Sequence, residues 1–145
     1  MFLGEYTHTI DEKGRLTIPA RFRELLSDGA YISRGFDGNL IVWTTSLFQL
    51  VSHRLNTMNT AANNTRELRR LIFGNAEKVE FDKFGRILIQ QFLRDAARLT
   101  TDAVIVGTGD YFEIWSADLW TQQQNQLTDP TATAERFIGL DLSTQ

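Results

Sequence analysis

The sequence predicts an α+β fold, mainly β, in which two tandem repeats complete one pseudo-twofold β-barrel with flanking helices. The first observation is an internal repeat. Asp11–Ile18 returns as Asp82–Ile89 at an offset of 71, and Leu40–Trp43 returns as Phe112–Trp115 at an offset of 72. The second observation is size, because each copy has about 45 residues, and units that small seldom form a stable core alone. The two copies are therefore expected to pack together.

We expect four segments along the chain of 145 residues. They are repeat 1 at residues 5–47, linking helices at 48–75, repeat 2 at 76–119 and an acidic, helical C-terminal segment at 120–145. In each repeat the pattern predicts strand, tight turn, strand, short helix, strand, loop, strand and helix. Arg23 matches Arg94 at the first offset.

Each repeat opens with a predicted β-hairpin. In repeat 1, Tyr6–Ile10 alternates in residue character as a strand does. Asp11–Gly14 has the form of a type I turn followed by a glycine at positive φ. Period-two alternation then places Leu16 and Ile18 on one face of the second strand and their polar neighbours on the other.

The remaining elements of the repeat are predicted from a proline, two strand-like runs and a helix-capping motif. Pro19 ends the second strand and suits the first turn of a short helix over residues 20–26. Strands are predicted at 30–33 and 40–43. The run Ser46-Leu-Phe-Gln has the form of a capping box, so Ser46 is predicted to begin a helix.

Helices are also predicted outside the repeats. Arg66–Phe73 is amphipathic, and Gly74 stands where a helix C-cap is expected. At the C-terminal end, helices are predicted at 120–127 and 134–140, separated by Pro130.

The net charge of −3 conceals an uneven distribution. Residues 1–100 hold 14 Lys and Arg against 11 Asp and Glu, which is +3. Residues 101–145 hold one Arg against seven acids, which is −6. A nucleic-acid partner is therefore compatible with the body of the chain, since net charge says nothing about distribution.

Composition excludes several other classes of protein. Hydrophobic residues at 42% and charged residues at 23% are typical of a folded chain, and no apolar stretch reaches the roughly 20 residues that span a bilayer. The absence of cysteine excludes disulfides, thiolate metal sites and cysteine nucleophiles. His8 and His53 lack the spaced carboxylates of a metal site. We expect a cytoplasmic protein without membrane contact, cofactor or small-molecule substrate.

The repeated Asp-x-x-Gly-Arg motif contains the candidate functional residues. Asp11 and Asp82 open the two turns, where a carboxylate accepts backbone N–H groups, and Gly14 and Gly85 supply the positive φ. These four residues are candidates for organising the turns. The arginine that follows each glycine is not needed to hold the turn.

The outward face of the hairpins indicates DNA binding. A two-stranded ribbon fits the DNA major groove, arginine donates two hydrogen bonds to guanine, and Thr17 and Leu88 offer apolar contact to a thymine methyl group. The candidate DNA-binding residues are Lys13, Arg15, Thr17, Lys83, Arg86 and Leu88. Further candidates, for phosphate contact, are Arg66, Arg69 and Arg70 on one face of the linking helix, although a solvated helix face needs no ligand.

Five stretches carry a resemblance to a known family. They are Met1-Phe-Leu-Gly-Glu-Tyr, Asp11-x-x-Gly-Arg-Leu-Thr-Ile-Pro-Ala-Arg-Phe-Arg, Arg69-Arg-Leu-Ile-Phe-Gly-Asn-Ala, Asp82-x-x-Gly-Arg-Ile-Leu-Ile and Phe112-Glu-Ile-Trp. Over essentially residues 1–142 the chain resembles the bacterial MraZ proteins, which belong to the AbrB-like group of swapped-hairpin, double-psi type DNA-binding folds.

The resemblance implies a transcriptional regulator, associated with the nucleoid, that binds repeated short elements in the promoter of the division and cell-wall gene cluster, including its own promoter. It also implies two AbrB-type halves in one chain and a homo-oligomeric ring on double-stranded DNA. The DNA-contacting role falls on the two motif arginines and the turn-organising role on the two motif aspartates. Phe84 stands where repeat 1 has Lys13, and the relative DNA contact of the two repeats stays open.

Two alternatives belong to other classes. Paired aspartates from two halves are also a feature of aspartic proteases. Each aspartate here has an arginine four residues later, which opposes the shared-proton state, so no enzyme is expected. A ring-forming interaction module without base readout stays open. Salt separates the two readings, because DNA binding through six or more phosphates weakens by roughly 10³ or more over a fourfold increase in salt.

Overall fold

Eight β-strands and six α-helices form the part of the chain that the computed structural model describes, residues 1–144. The strands are β1 (Glu5–Thr9), β2 (Arg15–Thr17), β3 (Ala30–Arg34), β4 (Leu40–Thr44), β5 (Glu77–Val79), β6 (Arg86–Leu88), β7 (Asp102–Gly107) and β8 (Tyr111–Ser116). The helices are α1 (Ala20–Leu25), α2 (Thr45–Thr57), α3 (Asn63–Phe73), α4 (Gln91–Ala96), α5 (Ala117–Thr128) and α6 (Pro130–Arg136).

The predicted strands of repeat 1 and its first short helix form within one residue of their predicted bounds, but the later helices begin earlier than predicted. α2 begins after Thr44, whose Oγ1 accepts the N–H of Leu47 at 3.1 Å, so Ser46 lies inside the helix and is not its N-cap. α5 and α6 are separated at Asp129, as the proline predicted, but α6 begins at Pro130 itself, capped by the side chain of Asp129, and not at residue 134. In both places a polar residue in extended conformation just before the helix supplies the cap.

The strands of the two repeats are interleaved. The larger sheet has the order β1-β7-β8-β4-β3-β5, and the smaller sheet pairs β2 with β6. The first strand of each repeat pairs with the third strand of the other, β1 with β7 and β5 with β3. At the centre of the larger sheet β4 pairs with β8, again across the repeats. Neither repeat forms this sheet alone.

Within residues 1–144 the strands do not close into the single barrel that the sequence predicted. β1 and β5 are the edges of an open six-stranded sheet, and single bridges, Ile10–Leu16 and Phe81–Ile87, connect them to the two-stranded sheet. The reason lies in the hairpins. Backbone hydrogen bonds between Asp11 and Arg15 close the first turn, and β2 leaves its own hairpin after one bridge to pair with β6.

The largest hydrophobic cluster contains residues of both repeats. The rings of Phe2, Phe22 and Phe112 lie with their centroids 5.0 to 5.2 Å apart. Leu16 and Ile87, the middle residues of β2 and β6, are buried in the same core. Full burial of such a side chain contributes about 1.5–3 kcal/mol. The inner face of the β2–β6 ribbon is therefore anchored, which fixes the direction of its outer face.

The longer helices cover other parts of the large sheet. α2 and α3 enclose a cluster with Trp43, Phe48 and Ile72, and α5 places Trp120 against Trp115 of β8. No helix in the described part of the chain is long and apolar enough to cross a membrane.

Candidate nucleic-acid interface

The ribbon formed by β2 and β6 brings candidate residues of both repeats together. In its antiparallel register Arg15 lies opposite Leu88, and Thr17 lies opposite Arg86. Both arginines and Thr17 are half-buried, and Leu88 is 50% exposed. The middle pair of the ribbon, Leu16 and Ile87, is buried. The period-two alternation of the sequence thus gives one outward face with an arginine from each repeat.

Asp11 organises the first turn through both carboxylate oxygens. Its Oδ1 accepts the backbone N–H groups of Lys13 at 3.0 Å and of Arg15 at 2.8 Å, and its Oδ2 accepts Nε–H of Arg15 at 2.6 Å. Gly14, at φ +84°, donates its N–H to the carbonyl of Asp11 at 3.0 Å. The guanidinium of Arg15 is held at Nε, and no hydrogen bond within residues 1–144 uses its two terminal nitrogens.

The second turn repeats this geometry. Asp82 Oδ1 accepts the backbone N–H groups of Phe84 at 2.9 Å and of Arg86 at 3.0 Å, and Oδ2 accepts Nε–H of Arg86 at 2.7 Å. Nη1 of Arg86 also lies 3.7 Å from Oδ2 of Asp11. The two motifs therefore form one charged cluster across the pseudo-twofold axis.

Hydrogen bonding lowers the pKa of both turn aspartates below the ordinary value of 3.8. For Asp11 the largest cause is the backbone N–H of Arg15, and the guanidinium of Arg15 adds to it against an opposing desolvation effect. For Asp82 the backbone N–H of Arg86 is likewise the largest cause. Both carboxylates are ionised at neutral pH, which opposes the shared proton of an aspartic-protease dyad.

We expect carboxyl-carbon NMR titration to give midpoints below 3.8 for both Asp11 and Asp82. A lowered folded-state pKa stabilises the fold above the unfolded value, and this contribution is lost as the pH falls through the folded value. In Arg15→Ala the pKa of Asp11 is expected to stay lowered, because the larger cause is a backbone N–H that the substitution keeps. A midpoint at or above 3.8 in the wild-type chain would contradict this assignment.

Arg23 and Arg94 each pack against the turn of the other repeat. The guanidinium of Arg23 donates to the carbonyl of Ile18 at 3.0 Å and packs against Gly85, where a Cβ would overlap it. Arg94 donates to the carbonyl of Ile89 and packs against Gly14 in the same way. Sequence reasoning did not find this role, although the match of these arginines at the repeat offset was the available signal.

The lysines of the candidate set lie at the turn tips. Lys13 and Lys83 are both exposed, as phosphate contacts require. Lys83 Nζ lies 5.2 Å from the ring centroid of Phe84, and Lys13 has no aromatic neighbour of this kind within the described residues. The two tips are therefore unequal in chemistry.

The basic face of α3 is largely engaged inside the chain. Arg66 Nη1 donates to the carbonyls of Thr60 and Ala61, and Arg69 Nη1 donates to the carbonyl of Leu55 at 3.1 Å. Arg70 is exposed. These bonds tie α3 to the segment before it, so the phosphate role of Arg66 and Arg69 competes with a structural one and stays a prediction.

Two open depressions flank the ribbon, of about 270 and 480 Å³. The first is lined by Arg15, Glu80, Phe81, Asp82, Arg86 and Leu88, and the second by Thr9, Ile10, Asp11, Glu12, Lys13 and Arg15. Their open form suits an extended ligand. Across residues 1–144 no group of three or more His, Asp or Glu side chains is arranged to hold a metal ion.

Comparison with known proteins gives one family. The family model described as "MraZ protein, putative antitoxin-like" matches residues 1–71 and again residues 72–140. Relatives named Transcriptional regulator MraZ include those of Roseiflexus castenholzii, 45% identical over 94% of both chains, and of Herpetosiphon aurantiacus, 43% identical over 96% of this chain and 97% of the relative. That of Desulfitobacterium hafniense is 41% identical over 98% of this chain and 100% of the relative.

Proposed function

The chain belongs to the MraZ family, and on that premise we propose that it is a sequence-specific transcriptional regulator that reads double-stranded DNA with the β2–β6 ribbon. The name shared by its relatives, that of a transcriptional regulator, supports the DNA-binding class. It is the name of a regulator and not of an enzyme, in agreement with the prediction that the chain is not an enzyme.

One observation carries the proposal: Arg15 and Arg86 share the outward face of a two-stranded ribbon, and each is held at Nε by a carboxylate. The major groove admits a ribbon of this width, and the terminal nitrogens of arginine match guanine O6 and N7. Because the side chains are already ordered by Asp11 and Asp82, less conformational entropy is lost on binding. Thr17 on the same face is placed for contact with a thymine methyl group.

Sequence-independent contacts surround this face. Lys13 and Lys83 at the turn tips and the exposed Arg70 on α3 supply positive charge for phosphates. The net negative charge of the chain comes from residues 101–145, whereas residues 1–100, which include both strands of the ribbon, carry a net charge of +3.

The family likeness extends the proposal to targets and assembly. We infer repeated short elements in the promoter of the division and cell-wall gene cluster, including the chain's own promoter, and a nucleoid-associated location in the cytoplasm. The interleaved pairing of β1 with β7 and β5 with β3 supports an AbrB-like, swapped-hairpin relationship. Exposed apolar side chains near the C-terminal end, Ile138 and Leu142 among them, support a homo-oligomeric ring.

A footprint on the DNA upstream of the chain's own gene tests the function directly. We expect protection of short repeated elements, with an affinity that falls by roughly 10³ or more when salt rises fourfold, if six or more phosphates are contacted. Absence of any protected segment at low salt, from a chain that assembles normally in native mass spectrometry, would favour the ring-forming module without base readout.

A further inference from the structure

The two turns carry different side chains at their tips. The first presents Glu12 and Lys13, and the equivalent positions of the second hold Lys83 and Phe84. Phe84 is 64% exposed, although aromatic rings of this size are ordinarily buried for most of their surface. The turn does not need the ring, because the leading aspartate of each motif binds the backbone N–H at this position alike, at 3.0 Å in the first turn and 2.9 Å in the second.

Two cations hold the ring beside the ribbon. Lys83 Nζ lies 5.2 Å and Arg86 Cζ lies 5.1 Å from the centroid of Phe84, both within the range of a cation–π contact. Arg86 is itself fixed to Asp82 through Nε at 2.7 Å. Leu88 adds a second exposed apolar side chain on the outward face of the same strand. An ordered guanidinium and an apolar ring therefore stand side by side at the second turn, and the first turn has no counterpart to the ring.

We propose that Phe84 contacts the C5-methyl group of a thymine next to the base pair that Arg86 reads, so that the second repeat determines a thymine in the recognised element. This rests on the proposed function of the ribbon. The thymine methyl is the apolar group that base edges present in the major groove. Repeat 1, with Lys13 in the equivalent place, offers a cation for phosphate instead.

Replacement of thymine by deoxyuridine tests this contact, because it removes only the methyl group. The duplex protected in the footprint is made with each thymine replaced in turn, and affinity is measured for each. At the thymine next to the base pair that Arg86 reads, the wild-type chain is expected to lose about fourfold in affinity, the effect of burying one methyl group. A thymine that Thr17 or Leu88 contacts is told apart because its sensitivity is retained in Phe84→Lys. Phe84→Lys, which places the residue of repeat 1 in repeat 2, is expected to lose this sensitivity.

Two further variants control the result. Phe84→Leu keeps an apolar contact and is expected to keep the sensitivity to uracil, and Lys13→Ala, the matched change in the first turn, is expected to keep it as well. The proposal is overturned if no thymine is sensitive in the wild-type chain, or if Phe84→Lys retains every sensitive position of the wild type. Loss of all protection by the wild-type chain is a different result, because it removes the proposed function and this contact together. A melting curve of Phe84→Lys that matches the wild type shows that the turn is intact.

Discussion

Arg15→Ala is expected to lower affinity for the protected operator by about 10- to 100-fold while leaving the melting temperature and the size of the assembly close to those of the wild type. A bidentate arginine–guanine contact contributes about 1–3 kcal/mol of discrimination. In the ring that we propose, several ribbons would each lose this contact. Stability changes little because the ion pair with Asp11, 2.6 Å between Nε and Oδ2, is about one-third exposed on both sides. A gel-shift titration on operator and scrambled duplexes measures the effect.

Two variants separate base reading from charge. Arg15→Lys keeps the positive charge but not the planar fork, so we expect it to lose operator preference while retaining most of its binding to scrambled DNA. Arg136→Ala removes one positive charge in α6, where the side chain contacts Gln126, and is expected to bind like the wild type. Wild-type operator affinity in Arg15→Ala would remove this arginine from the binding site.

Gly14→Ala is expected to destabilise the fold by about 2.5–5 kcal/mol, measured by urea unfolding. Two costs add in this estimate. A residue with a Cβ at φ +84° is strained by about 1–2 kcal/mol, and the new Cβ overlaps the guanidinium of Arg94. Moving Arg94 breaks its charged hydrogen bond to the carbonyl of Ile89, which contributes about 1.5–3 kcal/mol.

Gly109→Ala is the matched control, because Gly109 has φ +92° and open space where a Cβ would stand. It is expected to cost about 1–2 kcal/mol, the strain alone. The difference in free energy of unfolding between Gly14→Ala and Gly109→Ala then measures the contribution of the Arg94 contact. If Gly14→Ala in an Arg94→Ala background costs as much as in the wild-type chain, the Arg94 contact contributes nothing.

Local features of the fold follow from the sequence, and its pairing partners do not. The turn at Asp11–Gly14 and the end of β2 before Pro19 are decided within a few residues, so the pattern predicts them. No local pattern decides whether β2 extends its own hairpin or pairs with β6. Leu16 is buried in the core in the observed arrangement, and the same alternation of buried and exposed residues satisfies both arrangements. The single barrel was predicted from the small size of each repeat, which requires the two copies to pack together but does not specify which strands pair. The cap of α2 was ambiguous for a similar reason, since Thr44 and Ser46 both carry a hydroxyl group.

The residues on the outward face of the candidate site could be predicted from the sequence. The contacts by which Arg23 and Arg94 hold the turns in place could not. Alternation places Arg15 and Arg86 opposite the buried side chains whichever strands pair. The contacts of Arg23 and Arg94 depend on the interleaving, because each arginine packs on a glycine that the other repeat supplies. The hydrogen bond from Arg69 to the carbonyl of Leu55 likewise depends on the packing of α3 against α2, which no local pattern specifies.

The exchange of strands between the repeats has a consequence for synthesis of the chain. Glu5 pairs with Val106 and Thr9 with Asp102, so β1 has no partner until most of the polypeptide has left the ribosome. Contacts this distant in sequence form slowly, because a long loop must close before they are made. We expect folding to follow translation, and a chain interrupted before β6 to have no ribbon, since β2 then lacks its partner. Such an incomplete chain would lack the ribbon that we propose as the DNA-binding surface.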